Sequence, residues 1–157
     1  MTKIEELEAK VKELQEKIEE MKTEAKKKIW PHSMDEYWYI RYDGEISSST
    51  WTDMDIDEFR LSIGNVFHTR EDAKFASERL KVIHELKEFA EPEDAVWNSI
   101  NKHYDLLYDT DCKAITIDNG GIYRRSGIYF ESEEKAMEAI NAVGEDRIIK
   151  YYLEVKL

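Results

Sequence analysis

Seven apolar residues near the start of the chain, Ile4, Leu7, Val11, Leu14, Ile18, Met21 and Ala25, are separated by 3, 4, 3, 4, 3 and 4 positions. This is the 3.5-residue period of a supercoiled seam rather than the 3.6-residue period of a helix lying on its own core. It predicts one helix over residues 1–28, an arm about 40 Å long at about 1.5 Å per residue. Ile4, Val11, Ile18 and Ala25 take position a, and Leu7, Leu14 and Met21 take d. β-Branched a with Leu or Met at d favours a parallel two-stranded coil, hence a homodimer. The flanks are mixed, because Lys3 would meet Glu8 across a parallel seam but Lys17 would meet Lys22. The next d position is Lys28, where the seam fades. The competing reading is a helix that folds back on its own domain or docks on a different protein. Pro31 cannot continue a helix interior, so residues 29–35 read as a junction.

The arm carries eight lysines and eight glutamates, which cancel. The remaining 129 residues hold 15 basic and 27 acidic groups, so the net charge of −12 lies entirely there. Such a surface repels phosphate backbones and anionic membranes, which argues against direct nucleic-acid or membrane binding. It attracts a basic protein partner, including one with a nucleic-acid groove, although acidic surfaces also serve solubility alone. The N-terminus is charged rather than signal-like, no apolar run approaches a membrane span, and Cys112 is the sole cysteine. These features fit a reducing cytosol.

Residues 36–157 read as an α+β domain built from two related β-β-β-α units with antiparallel strands, about 36–90 and 103–143. In the first, Tyr37 to Tyr42 and the return from Glu45-Ile46 flank a two-residue Asp43-Gly44 turn. Gly64 to Phe67 forms a third short strand. Thr69 caps a helix, with Asp72 as a partial capping box, running to about Ala90 and burying Ala76, Leu80, Ile83, Leu86 and Phe89. In the second unit, Tyr104 to Tyr108 and Ala114 to Ile117 flank Asp109-Thr110-Asp111. Gly127 to Phe130 then leads to Ser132, the cap of a helix with Ala136, Ile140 and Val143 inward. Gly64, Phe67, Thr69, Glu71 and Ala73 recur as Gly127, Phe130, Ser132, Glu134 and Ala136 at a constant offset of 63. The tail 147–155 fits a last strand, or a short helix followed by a strand.

No catalytic constellation is legible. The histidines, His32, His68, His84 and His103, have no ligand spacing, so no metal or cofactor is expected. The run Asp53-Met54-Asp55-Ile56-Asp57-Glu58 begins like a calcium loop, but Glu58 stands where glycine is required and Gly64 where glutamate is required. It reads instead as the start of a short helix covering Asp57 to Leu61. The alternative is an acidic partner-binding epitope of Asp53, Asp55, Asp57 and Glu58, joined by Glu131, Glu133 and Glu134. A second candidate set, Arg60, Arg124 and Arg125 with Trp38 and Trp51, would suit an anionic small molecule such as a nucleotide signal.

The run Arg60 to Ala73, the tail Gly127 to Tyr152 and the Tyr37 to Ile46 hairpin resemble segments of small uncharacterised proteins of Firmicutes phages and prophages. The resemblance covers about residues 36–155, leaves the arm outside, and implies no active site. It implies a phage-encoded, non-enzymatic protein that binds and inhibits a host protein, as anti-CRISPR counter-defence inhibitors do. A small-molecule binder and a phage structural or assembly component stand as alternatives.

Overall fold

The computed structural model describes residues 3–27, 30–98, 100–120 and 127–156, with the side chains of 4–6 and 22–27 left aside. The architecture is α+β: helices accompany two separate antiparallel two-stranded sheets. The chain divides into two compact units, residues 1–73 and 74–157.

The first unit begins with α1 (Lys3–Lys27), which spans about 37 Å at about 1.5 Å per residue. The junction that follows is packed: Pro31 is buried and the Trp30 ring stacks on His68 at 3.7 Å. Strands β1 (Glu36–Ile40) and β2 (Ile46–Thr50) pair from Glu36 opposite Thr50 to Ile40 opposite Ile46. The hairpin turn is one residue longer than the two-residue turn expected. Gly44 N donates to Arg41 O at 3.0 Å and Arg41 N to Glu45 O at 2.8 Å, with Gly44 at φ 84°. That is a type I turn closed by a left-handed glycine bulge, which keeps the right-handed twist of the strands. Helix α2 (Asp55–Ser62) extends a turn beyond the expected Asp57 to Leu61.

The second unit carries β3 (Tyr104–Asp109) and β4 (Ala114–Asn119), paired from Tyr104 opposite Asn119 to Asp109 opposite Ala114. The Asp109 carboxylate closes the turn by accepting from the Asp111 and Cys112 amides. Helices α4 (Glu133–Val143) and α5 (Glu145–Arg147) lead into a π-helical turn, Ile148–Tyr152. Its core gathers Val82, Leu86, Leu106, Ile128, Phe130, Ala136, Ala139, Val143 and Ile148.

The two expected halves share a local geometry at the third strand, which is reduced to one residue in each. Helix α3 (Arg70–Lys87) beyond Ala73, however, belongs to the second unit and lends Val82 and Leu86 to its core. Phe67 exchanges both backbone hydrogen bonds with Trp38, at 2.9 and 2.8 Å; Phe130 does so with Tyr104, at 3.0 and 2.8 Å. Longer ladders are prevented because a helix cap follows two residues later. Thr69 Oγ1 accepts from the Asp72 amide at 3.1 Å, and Ser132 Oγ from the Lys135 amide at 3.2 Å.

Two further expectations change. Helix α3 (Arg70–Lys87) leaves Leu80 60% exposed and buries Ala73, Ser77, Val82 and Leu86. At about 100° per residue the first and last buried pairs lie on opposite sides, so one continuous stripe does not describe it. The tail 145–152 is helical, and 153–156 hold no strand. Ile148 and Ile149 are both buried, and the Leu153 amide reaches back to Ile148 O at 2.9 Å. Consecutive apolar residues fit a buried helical turn as well as a strand.

Candidate interaction surface

Every described side chain of α1 is exposed, the seam included. Leu7, Val11, Leu14, Ile18 and Met21 are between 51% and 67% exposed. Ile4 and Ala25 lie within the helix, but their side chains fall outside the described set. A helix that exposes a 3.5-residue apolar stripe lacks the burial that sustains most helices in water.

The acidic run 53–58 resolves into different roles. Asp57 is 2% exposed and is not an epitope residue. Its Oδ1 accepts from Tyr37 Oη at 2.6 Å, and its Oδ2 from the Thr52 amide and Thr52 Oγ1, both at 2.9 Å. Burial works against its charge, yet these hydrogen bonds and that from the Met54 amide outweigh it and hold the carboxyl below its ordinary value. Tyr37 moves the opposite way: burial, then its bond to Asp57, push the phenol up. Asp53, Asp55 and Glu58 remain exposed, Asp53 accepting from Trp51 Nε1 at 2.6 Å. Glu131, Glu133 and Glu134 are exposed but belong to the other unit. Glu134 is held below its ordinary value by hydrogen bonding at the start of α4.

The described members of the small-molecule set, Arg60, Trp38 and Trp51, all have partners within the first unit. Arg60 Nη1 donates to Tyr37 Oη at 2.6 Å, and its guanidinium lies 3.6 Å from the Tyr39 ring centre. Trp51 is a core residue, edge-on to Tyr37 at 6.0 Å. Trp38 is half-buried, with Arg70 5.9 Å from its ring centre. Arg124 and Arg125 lie outside the described residues.

Two arrangements escaped the sequence reading. Helix α2 and its C-cap residue expose Ile56, Phe59 and Ile63 to solvent while the helix turns Asp57 inward. Their 3- and 4-residue spacing was a visible signal, masked by the surrounding aspartates. In the second unit, buried His103 places Nδ1 2.7 Å from Glu91 Oε2, and Trp97 stacks on the imidazole at 3.8 Å. His103 Nε2 is buried without a hydrogen-bond partner among the described residues. An open cavity of about 390 Å³ beside it is lined by Glu91, His103, Lys102 and Glu131. A carboxylate-oriented histidine can serve as a base, but catalysis also needs an oriented nucleophile or substrate group beside it. No group of three or more His, Cys, Asp or Glu among the described residues could hold a metal ion. No described helix is long and apolar enough to cross a membrane.

The fold is therefore an α+β arrangement of two hairpin-and-helix units with an exposed heptad arm. No protein-family model, curated protein or solved structure matches the chain.

Proposed function

We propose that this chain is a phage-encoded, non-enzymatic interaction protein that self-associates through α1 and binds and inhibits a protein of its bacterial host in the cytoplasm. The observation that carries this reading is the seam: five apolar side chains at heptad spacing, each at least 51% exposed, along a 25-residue helix. Burying such a stripe against a second copy removes its apolar surface from water at roughly 25 cal/mol per Å². The phage origin rests on the resemblance of residues 36–155. The acidic charge beyond the arm favours a basic partner over nucleic acid.

Light scattering tests the self-association. The full chain should have more than one subunit, and Leu14→Glu with Ile18→Glu should reduce it to a monomer while leaving the circular dichroism of the remaining units intact. Equal subunit numbers in both would refute the seam. For inhibition, the tagged chain should recover one stoichiometric host protein and suppress its activity; a partner that keeps full activity in the complex would contradict the reading.

A further inference from the structure

We propose that α2 is the docking element for that partner, presenting Ile56, Phe59 and Ile63 as an apolar anchor to a protein surface with an apolar pocket rimmed by lysine and arginine. This rests on the reading that the chain acts by binding a protein, and it moves the contact from the acidic run to the helix face that the run borders.

α2 is amphipathic in the reverse sense. At about 100° per residue, Ile56, Phe59 and Ile63 fall within an arc of about 60°. They are 48%, 60% and 60% exposed, and Met54 just before the helix is 61% exposed. The one buried residue of the helix is the carboxylate Asp57. A surface helix ordinarily turns its apolar stripe inward and its charges outward, so the inversion needs an occupant for the outward face.

The inward face explains why the stripe stays out. Asp57 is fixed by Tyr37, Thr52 and the backbone at Met54, and Arg60 is fixed between Tyr37 and Tyr39. Rolling α2 to bury Phe59 would break this set of charge-assisted bonds. The anchor is thereby held ready, which lowers the ordering cost of association.

Charge selects the partner. The exposed ionisable residues from 53 to 63 are Asp53, Asp55 and Glu58, all acidic. An apolar centre with a charged rim is the anatomy of a binding patch, and an acidic rim is complementary to a basic one. A second copy docking by the same face would oppose carboxylates to carboxylates across a two-fold axis.

The test uses the full chain and two synthetic helical peptides that share a leucine–tryptophan stripe, one flanked by lysine and the other by glutamate. In fluorescence anisotropy the lysine peptide should bind. Phe59→Ser should weaken it about tenfold, and Asp55→Asn with Glu58→Gln several-fold, the latter effect shrinking as salt rises. Ile63→Ser gives the same readout should Phe59→Ser lose its thermal transition. Equal affinity for the two peptides, or no loss with either stripe variant, overturns the proposal. So does a lower subunit number for Phe59→Ser, which would assign the stripe to a second copy. Peptide binding that persists in a monomeric Leu14→Glu, Ile18→Glu chain supports α2 independently of the arm. Self-association without Phe59-dependent peptide binding overturns α2 alone.

Discussion

Tyr37 and His103 occupy the same place in their two hairpins. Each lies one residue before the strand residue that pairs with a phenylalanine, Trp38 with Phe67 and Tyr104 with Phe130. Each is buried and each meets a carboxylate: Tyr37 Oη is 2.6 Å from Asp57 and His103 Nδ1 is 2.7 Å from Glu91. Removing the donor leaves a shielded carboxylate short of a partner, which costs about 1–3 kcal/mol. Tyr37→Phe and His103→Phe should each lower urea stability in that range, and Tyr37→Phe the more reproducibly, because it preserves ring volume. Unchanged urea midpoints would show that these pairs contribute nothing net.

Two hydrogen-bonded carboxylates, Asp57 and Glu85, set the acid limit. Asp57 is held below its ordinary 3.8 despite burial, by hydrogen bonds from Tyr37, Thr52 and Met54. Glu85 is held below 4.5 chiefly by Arg147, whose Nη1 and Nη2 lie 2.6 and 2.9 Å from its two oxygens. A depressed carboxyl binds fewer protons folded than unfolded, so its contribution is complete above the unfolded value and is lost as pH falls through the folded one. Stability should therefore fall below about pH 4.5, and Asp57→Asn should flatten the lower part of that decline. At the alkaline end burial raises Tyr37 and Tyr152 above 10.0, so their contribution is present below that pH and is lost as it rises further. Urea titrations at stepped pH read both limbs; an Asp57→Asn profile parallel to the parent would remove Asp57 from the acid limb.

The caps of α3 and α4 give a paired test of the repeat. Thr69 and Ser132 stand 63 residues apart and accept from amides also 63 apart, Asp72 and Lys135. Thr69→Ala and Ser132→Ala should each cost about 1 kcal/mol, as loss of a side-chain cap does. Thr69→Ser should retain most of the stability, since the hydroxyl is the working group. Thermal or urea unfolding of the three variants measures this, and a loss in only one half would mean that the repeat's caps are not equivalent.

Short-range signals were the readable ones. The α+β class, the two hairpins and the hydroxyl caps follow from alternation, turn residues and spacings within four positions. What the sequence did not disclose depends on distant partners. Asp57 looked like surface charge because Tyr37 lies 20 residues away. His103 looked isolated because Glu91 is 12 residues upstream. Leu80 matched the helical period but fell where α3 changes its buried side, and the Ile148-Ile149 doublet gave no period to choose by. Of the candidate contacts, Asp53, Asp55 and Glu58 remain on the surface, whereas Asp57, Arg60 and Trp51 are built into the first unit.

Gly44 offers the sharpest separation of strain from packing. Its φ of 84° closes the first hairpin, and a Cβ placed there would meet nothing within 4 Å. Any destabilisation on substitution is therefore backbone strain, with no steric clash to confuse it. Gly44→Ala should cost about 1 kcal/mol, the penalty for holding a residue with a Cβ in the left-handed region. Gly44→Asn should cost less, because a short polar side chain tolerates that conformation. Gly44→Val should cost most, since a β-branched residue is least compatible with positive φ. The expected order of urea midpoints is Gly, Asn, Ala, Val. If alanine and asparagine stabilise the chain instead, the turn has relaxed to a conformation without the bulge, and the register Ile40 opposite Ile46 must have shifted with it.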